Sequence, residues 1–334
     1  MRAATWTDDN RLTLSDLPAP ERGPAETLVR VEACGICGSD LHLYRGELKP
    51  FPGSAPGHEI AGTVVESSTF EPGTLVAIEP TLGCGGCGQC RGGAPHRCDS
   101  LRLMGMTAPG GLQELVAAPD THIYPVPGGV DATVASLAEP LAVAVRGINM
   151  AELKLGSCVL VLGAGTIGLL SVLLAKRVAA EVAITARYPH QAEIARAFGA
   201  TQVLEPGSKD LRAWAKEARP DVVIETVGGH ADTLAEAVYN VRPGGIVVVL
   251  GVFSSRPQIP AFRLVNEEVQ LRGAVMYGRS GEGSEFGAAV TLLPELQDQL
   301  RAILSTPFPL EQANDAFQTA LDKTSGSLKV TVSP

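Results

Sequence analysis

The sequence lacks several features that would assign it to common protein classes. No uninterrupted apolar run approaches the roughly 18 residues that a membrane-spanning helix needs, so we expect no membrane association. Residues 1–6 lack the apolar core of a signal peptide, which favours a cytoplasmic location. Lysine and arginine number 27 against 36 acidic residues, and this deficit of positive charge argues against nucleic-acid binding. No internal repeat or low-complexity segment is apparent.

The length of the chain and a change of pattern along it predict two domains. At about 150 residues per domain, 334 residues are too many for one ordinary core. Residues 1–140 contain short β-rich segments broken by glycine and proline, which predict a barrel-like lobe. Residues 141–278 alternate apolar strands with helices, which is typical of a doubly wound parallel sheet in an α/β fold. We expect residues 279–334, which end in a late strand, to rejoin the first lobe.

Four of the seven cysteines form a C-x2-C-x2-C-x7-C lobe, at Cys84, Cys87, Cys90 and Cys98. Four such thiolates can surround one ion tetrahedrally, and the glycines between them allow a tight turn. A saturated site has no open position for substrate, so the lobe predicts a structural zinc. An iron–sulfur cluster is the main alternative, although the ferredoxin motif has a shorter last gap followed by proline. We interpret His96, inside the lobe, as a solvated loop residue.

A second set of ligand-type residues lies in three short motifs. They are C-G-I-C-G-S-D-L-H at residues 34–42, G-H-E at residues 57–59 and A-E-P at residues 138–140. Taken singly they are weak, because Cys34 and Cys37 could be a redox pair and a lone histidine is usually an ordinary residue. Combined with the four-cysteine lobe, they resemble the motifs of the zinc-containing medium-chain alcohol dehydrogenases. The resemblance covers essentially the whole chain and implies a GroES-like catalytic domain plus a Rossmann domain.

The resemblance also implies a catalytic zinc and its ligands. Cys37 and His58 match two ligands of the family, and Glu139 matches the glutamate that polyol, glucose and threonine dehydrogenases often have as the third. Glu59 is implied as a ligand or near-ligand that exchanges with water. A thiolate, an imidazole and a carboxylate leave a fourth position open for water or an alcohol. Two zinc ions per chain are therefore expected.

Three further residues of the first motif match a catalytic role in the family. Asp40 is expected to orient the His58 ring, with a simple turn-forming aspartate as the alternative. Ser39 and His42 match a relay in which the serine hydroxyl accepts the alcohol proton and passes its own through the cofactor ribose to the histidine, which exchanges it with solvent. Histidine suits that exchange because its ring titrates near neutral pH.

Residues 163–168 read G-x-G-x-x-G between an apolar strand and a helix. The motif alone is weak, but this context predicts a dinucleotide loop, with the helix N-terminus facing the phosphates. Later strand ends are expected to complete the cofactor site. The predicted cofactor contacts of the loop and the strand ends are Gly163, Gly165, Thr166, Ile167, Gly168, Thr226, Leu250, Gly251 and Met276.

The end of the second strand of this domain predicts a preference for NADP over NAD. NAD-specific folds place an acid there to bind the ribose hydroxyls, whereas this chain has Thr185-Ala186-Arg187. Ala186 removes repulsion of a 2′-phosphate, and Arg187 can give the phosphate a forked, charge-assisted contact. Thr185 adds a hydroxyl. The alternative is that Arg187 is a solvated loop arginine.

These features predict a zinc-dependent oxidoreductase that transfers a hydride between a secondary alcohol and NAD(P). The substrate expected is a small hydroxylated molecule, namely a polyol, a sugar or an amino alcohol. A zinc-ribbon binding module and a zinc-free quinone or enone reductase are the alternatives. Members of the family pair through the edge of the nucleotide-binding sheet, and residues 269–275 could supply that edge. We therefore expect a homodimer or homotetramer.

Overall fold

A computed structural model describes residues 1–280 and 283–334, and these form two compact units. Unit 1 combines Met1–Glu139 with Gly278–Pro334, and unit 2 is Pro140–Tyr277. Within the described residues, no helix has both the length and the apolar character needed to cross a membrane.

The first segment of unit 1 consists mainly of short strands. They are β1 (Arg2–Trp6), β2 (Leu12–Asp16), β3 (Glu26–Gly35), β4 (Glu59–Glu66), β5 (Leu75–Ile78), β6 (Thr81–Leu82), β7 (Arg102–Leu103), β8 (Leu115–Pro119) and β9 (Ile123–Pro125). Its helices are α1 (Gly38–Tyr44), α2 (Gly88–Arg91) and α3 (Ala132–Ala135), with 3₁₀ turns at Pro95–Arg97 and Asp120–His122.

Helix α4 (Ala138–Ala151) leads into unit 2, where strands and helices alternate. The strands are β10 (Cys158–Leu162), β11 (Glu181–Thr185), β12 (Gln202–Leu204), β13 (Val222–Glu225), β14 (Ile246–Val249) and β15 (Gln270–Gly273). The helices are α5 (Thr166–Ala175), α6 (Pro189–Ala197), α7 (Lys209–Ala218), α8 (Thr233–Asn240) and α9 (Ala261–Asn266).

The last segment returns to unit 1. Its strands are β16 (Arg279–Ser280), β17 (Gly283–Ser284), β18 (Phe308–Pro309) and β19 (Thr331–Ser333). Its helices are α10 (Glu285–Ile303) and α11 (Ala313–Leu321), with a 3₁₀ turn at Leu310–Gln312.

The sheet of unit 2 has the order β12-β11-β10-β13-β14-β15, and every pairing in it is parallel. Strand β10 lies in the middle and all five of its residues are buried, as expected for a strand covered on both faces. The chain order reverses between β10 and β13. Ligands of doubly wound sheets bind at the carboxyl ends of the strands at such a reversal. The expected Rossmann-type sheet is confirmed.

The turn from β10 into α5 depends on two glycines. Gly163 has a φ of +98°, a left-handed conformation that favours glycine. A Cβ added to Gly168 would lie 1.8 Å from the Gly163 carbonyl oxygen. The first turn of α5 therefore packs directly against the end of β10, which leaves the N-terminus of the helix at the carboxyl edge of the sheet.

The main sheet of unit 1 is built around β3. Its order is β18-β19-β3-β4-β5-β9, and β8 also pairs with β3. Strand β19 runs antiparallel to β3, with Val332 opposite Cys34, so the C-terminal segment joins the sheet of the first segment. This pairing brings the chain around Lys329 beside the end of β3, where the cysteine motif begins.

An aromatic cluster fixes α1 against α11 in unit 1. The ring of Phe317 on α11 lies 5.8 Å from that of Trp6, edge to face, and 5.1 Å from that of Tyr44. Leu41 and Leu43 are also buried. These contacts anchor one face of α1 in the core, so the polar side chains on the remainder of this short helix have a fixed support.

Candidate active site

The end of β3 and the start of β4 bring the first two motifs together. Gly35 and Glu59 are direct partners in the antiparallel pair. Cys37 therefore follows one strand while His58 precedes the other. A Cβ on Gly35 would lie 1.9 Å from Glu59 Oε2. The glycine between the two cysteines of the first motif is thus required by the close approach of the Glu59 carboxylate.

Asp40 links Cys37 to His58. Cys37 is the N-cap residue of α1, and its backbone N–H donates to Asp40 Oδ2 at 2.9 Å. The other carboxylate oxygen, Oδ1, lies 3.6 Å from His58 Nδ1. Asp40 is fully buried, and burial raises the pKa of its carboxyl although His58 opposes the shift. With Asp40 on the Nδ1 side, Nε2 is the ring nitrogen available to a metal, and Ser39 Oγ lies 3.4 Å from it.

Glu139, at the start of α4, belongs to the same buried group of charges. Burial raises the pKa of its carboxyl to about 7, against the opposing effect of His58. Burial alone would lower the pKa of His58, but the negative charges of Asp40 and Cys37 outweigh it and the pKa lies well above its usual value. The site therefore concentrates groups that carry negative charge when deprotonated.

A divalent cation fits this set of donors. Thiolate, imidazole and carboxylate are the zinc ligands of proteins, and here they are supplied by Cys37, His58 and Glu139. His58 Nδ1 and Asp40 Oδ1 are buried without a hydrogen-bond partner among the described residues. Buried polar atoms and buried negative charge need compensation. A cation bound to His58 would favour donation from Nδ1 to Asp40 and would stabilise the anionic forms of the other ligands.

Glu59 is held by a lysine that the sequence analysis did not single out. Lys329 Nζ lies 2.6 and 2.8 Å from the two carboxylate oxygens of Glu59 and donates to the Ile36 carbonyl at 3.0 Å. Both side chains are buried. The structure therefore places the Glu59 carboxylate on Lys329, beside the other acidic groups. A lone lysine in the apolar segment that enters β19 was the available signal.

Ser39 and His42 lie at positions i and i+3 of α1, which places them on neighbouring turns. His42 is 22% exposed, and its Nδ1 contacts a carboxylate oxygen of Glu47 in the loop that follows the helix. The contact with Glu47 was not foreseen from the sequence. Ser39 is thus near the His58 ring, and His42 is near the surface.

The four-cysteine lobe has the geometry of a metal site. The sulfurs of Cys84, Cys87, Cys90 and Cys98 all lie within 4.8 Å of one another, and Cys87 Sγ is 3.8 Å from Cys98 Sγ. All seven cysteines are free of disulfides. Tetrahedral zinc with Zn–S bonds of about 2.3 Å needs sulfurs at about this separation. Four thiolates around a common point fit a closed, structural zinc.

Backbone N–H groups already point at these sulfurs. The N–H of Cys84 donates to Cys98 Sγ at 3.2 Å, and those of Cys87 and Cys90 donate to the preceding cysteine of the motif at 3.4 Å. The bond from Cys90 lowers the pKa of Cys87 to about 6. Such bonds favour thiolates, the form that binds metal.

His96 corrects one expectation from the sequence. It was interpreted as a solvated loop residue, but its side chain is only 5% exposed. A Cβ on Gly278 would lie 2.5 Å from its ring, so the imidazole packs closely against that backbone. The expectation was wrong because Gly278 reaches the lobe through tertiary folding.

In unit 2, two threonines hold the glycine loop. The backbone N–H of Gly163 donates to Thr185 Oγ1 at 2.9 Å. Thr226 Oγ1 donates to the carbonyls of Leu162 and Gly163 at 2.8 and 3.2 Å. The two threonines end the strands on either side of β10, so they fix the loop from both neighbours. Gly165 is the N-cap of α5, with Thr166 and Ile167 in its first turn.

A buried glutamate organises the later strand ends. Glu225 Oε1 accepts hydrogen bonds from the N–H groups of Val227 and Gly228 and from Thr233 Oγ1, at 2.7–2.9 Å. Its backbone carbonyl accepts from the N–H groups of Leu250 and Gly251. Glu225 thus fixes both loops expected to contact the cofactor.

Two of the predicted cofactor contacts have unusual local geometry. Close packing explains why residue 251 is a glycine, and the backbone of Met276 is strained. A Cβ on Gly251 would lie 2.3 Å from Glu225 Oε2, so the position admits no side chain without a shift. Met276 has a φ of +50°, which is uncommon for a residue other than glycine. Strained backbone of this kind is concentrated at functional sites.

The loop after β11 presents a free cation. Arg187 is exposed, and no hydrogen bond or ion pair of its side chain is found among the described residues. Ala186 is half-buried beside it. Tyr188 and His190 follow with stacked rings, at a centroid distance of 5.6 Å. The end of this strand carries no acid, and its arginine can reach a ligand.

Comparisons with known proteins cover both units. A family model described as an alcohol dehydrogenase GroES-like domain matches residues 23–128, and one described as a zinc-binding dehydrogenase matches residues 166–295. The chain is 32% identical over 310 residues to a 2-dehydro-3-deoxy-L-galactonate 5-dehydrogenase of Pseudoalteromonas atlantica, covering 90% of this chain and 88% of the relative. It is 30% identical over 336 residues to the sorbitol dehydrogenase of Ovis aries, covering 92% and 90%.

A solved structure is similar to the whole chain. It is described as a zinc-binding dehydrogenase from Sinorhizobium meliloti bound to NADP. Its TM-score to this chain is 0.91 at 31% sequence identity, with 100% of this chain and 99% of the other covered.

Proposed function

The chain belongs to the zinc-containing medium-chain alcohol dehydrogenase family, and on that premise we propose how it transfers a hydride between a secondary alcohol and NAD(P). The observation that carries the proposal is that half-buried Cys37 and buried Glu139 both interact electrostatically with the buried His58 ring. A zinc-free reductase of the same scaffold would not need these three donors. A zinc-ribbon module would not need a complete nucleotide-binding sheet.

Cys37, His58 and Glu139 would hold the catalytic zinc and leave one position open to the substrate oxygen. Zinc bound there would act as a Lewis acid that acidifies the substrate hydroxyl, and the nicotinamide would accept the hydride. Asp40 orients the His58 ring through Nδ1. Glu59, held by Lys329, is a near-ligand that adds negative charge beside the site.

Ser39 and His42 would remove the proton released on oxidation. Ser39 Oγ lies 3.4 Å from the ring nitrogen of His58 that faces the metal position, so it can accept the proton of a bound alcohol. His42, one turn further along α1 and partly exposed, would pass that proton to solvent. In the reverse direction, the same residues would deliver a proton to a carbonyl oxygen.

A second zinc would stabilise the loop between β6 and β7. The sulfurs of Cys84, Cys87, Cys90 and Cys98 would saturate it, and N–H bonds to the sulfurs of Cys84, Cys87 and Cys98 support the thiolate form of those three. A saturated ion cannot bind substrate. Its role would be to hold the lobe in one conformation.

The cofactor would bind at the carboxyl edge of the unit 2 sheet, with NADP preferred over NAD. The pyrophosphate would lie against the glycine loop and the N-terminus of α5. Two features support binding of a 2′-phosphate: Ala186 stands in place of an acid, and the exposed guanidinium of Arg187 has no partner among the described residues. The NADP found in the similar structure agrees with this preference. Thr185 and Thr226 would act by holding the loop.

The substrate is a small molecule with several hydroxyl groups. The names of two relatives contain their substrates. Sorbitol is a polyol, and 2-dehydro-3-deoxy-L-galactonate is a sugar acid. Each carries secondary alcohols flanked by polar groups. We propose the same class for this chain and keep amino alcohols in the test set because Glu139 is shared with threonine dehydrogenases in the resemblance.

A homodimer or homotetramer would form through the edge strand β15. One side of this strand is unpaired within the unit 2 sheet, and edges of this kind pair readily with another chain. Just before it, Phe262 is 83% exposed and Val265 is 73% exposed. Covering these side chains would remove apolar surface from water. A cytoplasmic location remains our expectation.

Replacing Cys37 by alanine should abolish alcohol oxidation, because the catalytic zinc loses a ligand. We expect kcat/KM to fall by at least about 10³-fold, or roughly 4 kcal/mol. Polyols, sugars, sugar acids, hydroxy amino acids and simple alcohols are screened with both cofactors by nicotinamide absorbance. Cys158→Ala, a buried cysteine outside both metal sets, is the matched control. Near-normal turnover in folded Cys37→Ala, judged by circular dichroism, would contradict the assignment.

Metal analysis should find two zinc ions per wild-type chain and one in Cys90→Ser. The variant should also have a lower Tm, by roughly 2–4 °C for each kcal/mol of stability lost, because the lobe loses its central ion. Cys158→Ala should keep both ions. A wild-type protein with one zinc, or a Cys90→Ser variant with two, would exclude the second site.

The cofactor preference should depend on Arg187. In Arg187→Ala, kcat/KM for NADP should fall by roughly 10- to 100-fold, which corresponds to a lost charge-assisted contact, while kcat/KM for NAD stays unchanged. Arg196→Ala, an exposed arginine on α6, controls for the loss of one surface charge. A wild-type preference for NAD, or an NADP preference that survives in Arg187→Ala, would refute the proposal.

Light scattering at micromolar concentration should give at least twice the chain mass of 34.8 kDa. Phe262→Glu should reduce that mass, because a charge would be buried in the apolar contact. Leu14→Glu is the control, since Leu14 is an exposed apolar residue of β2 in unit 1. A wild-type monomer would disprove the interface, as would an unchanged mass in Phe262→Glu.

A further inference from the structure

The loop after α1 folds back so that Glu47 meets His42. The backbone N–H of Glu47 donates to the His42 carbonyl at 3.0 Å, and that of Leu48 is 3.4 Å from the same oxygen. These bonds return the chain over the end of the helix. The Glu47 carboxylate then contacts His42 Nδ1, with the two side chains 32% and 22% exposed.

A carboxylate in this position selects one form of the imidazole. A deprotonated carboxylate only accepts hydrogen bonds, so Nδ1 must carry a proton to bond to it. In the neutral ring, Nε2 is then the unprotonated nitrogen and can take up a proton. When Nε2 is protonated, the same carboxylate stabilises the positive ring, as the aspartate does in a catalytic triad.

We propose that Glu47 is a positioning residue of the proton relay, which holds His42 with Nδ1 protonated and Nε2 free to receive the proton released by the alcohol. This proposal rests on the relay of Ser39 and His42 in the proposed function. The reaction balances with the alcohol, the oxidised cofactor and water alone. The alcohol loses its hydride to the oxidised cofactor and its proton, through Ser39, the cofactor ribose and Nε2 of His42, to water.

Other charged groups of the described residues lie near this pair. Arg45 lies 3.8 Å from the other Glu47 oxygen and holds the carboxylate from its far side. On α11, which packs against α1, and in the loop that follows it, the charged residues are Asp315, Asp322 and Lys323. Lys323 interacts electrostatically with Arg45 and Lys329. Among the described hydrogen bonds and ion pairs, Glu47 is the partner of the His42 ring.

The position of the ring proton can be read by nitrogen NMR on the zinc-loaded enzyme labelled with ¹⁵N-histidine. The chain has six histidines, and His42→Ala identifies the His42 signals. We expect the Nδ1-protonated form in the wild type at a pH where the ring is neutral. In Glu47→Ala, the Nε2-protonated form that an unconstrained imidazole favours should appear. Glu47→Gln should be intermediate, because its amide oxygen still accepts a hydrogen bond.

Measuring kcat/KM for the same proteins tests whether the position of the His42 ring proton affects turnover. We expect kcat/KM for alcohol oxidation to fall by about 10- to 100-fold in Glu47→Ala, less than the roughly 10²–10⁴-fold that a general base contributes and that His42→Ala should lose. Zinc content and the Kd for NADPH should not change. Lys49→Ala, in the same loop, controls for disturbance of the loop and should match the wild type.

The outcomes separate the role of Glu47 from the relay itself. Two results would overturn the role of Glu47: Nε2-protonated His42 in the wild type, or a ring form in Glu47→Ala that is unchanged from the wild type. If His42→Ala is slow in either case, the relay itself still stands. A changed ring form with wild-type turnover in both Glu47→Ala and His42→Ala would overturn the relay, and the role of Glu47 with it. A changed ring form with slowed turnover in both variants supports the proposal.

Discussion

The buried ion pair between Glu59 and Lys329 is the interaction that holds the candidate active site of unit 1 together. One ammonium group joins the start of β4, the end of β3 through the Ile36 carbonyl and the chain that enters β19. Cys37 and His58 are the sequence neighbours of the residues that this group binds. Breaking a buried pair leaves an uncompensated charge at a cost of about 3–5 kcal/mol. The backbone around the proposed zinc ligands Cys37 and His58 is therefore held by a contact that neither side chain makes.

The parts of the molecule that the sequence predicted well are those whose geometry is local. The four cysteines lie within fifteen residues, so their spacing alone limits how their sulfurs can meet. The glycine loop is similarly short, and it lies between a strand and a helix whose apolar residues repeat with different periods. The Rossmann sheet and the zinc-type family followed from these patterns and are confirmed. The roles of individual site residues remain predictions.

What could not be predicted depends on pairs that are distant in the chain. Lys329 is 270 positions from Glu59, and nothing near either residue indicates the other. Burial of His96 by Gly278 was missed for the same reason. Glu225 is closer to the residues it binds, but its role requires β13 and β14 to be adjacent. Lys329 and Glu225 were visible as polar residues in apolar segments, but their partners depend on strand order. The burial of His96 depends on a distant part of the chain.

The bond from Gly163 to Thr185 has a consequence for how cofactor choice can evolve in this scaffold. The proposed sites for the phosphate bridge and for the ribose meet at one hydroxyl, because Thr185 ends the strand that leads to Arg187 and also accepts a hydrogen bond from the first glycine of the loop. Positions 186 and 187 are free of this coupling. Under the proposed function, a change of preference between NAD and NADP can therefore use substitutions at positions 186 and 187 without disturbing the loop. At position 185, any replacement must still accept a hydrogen bond from the loop.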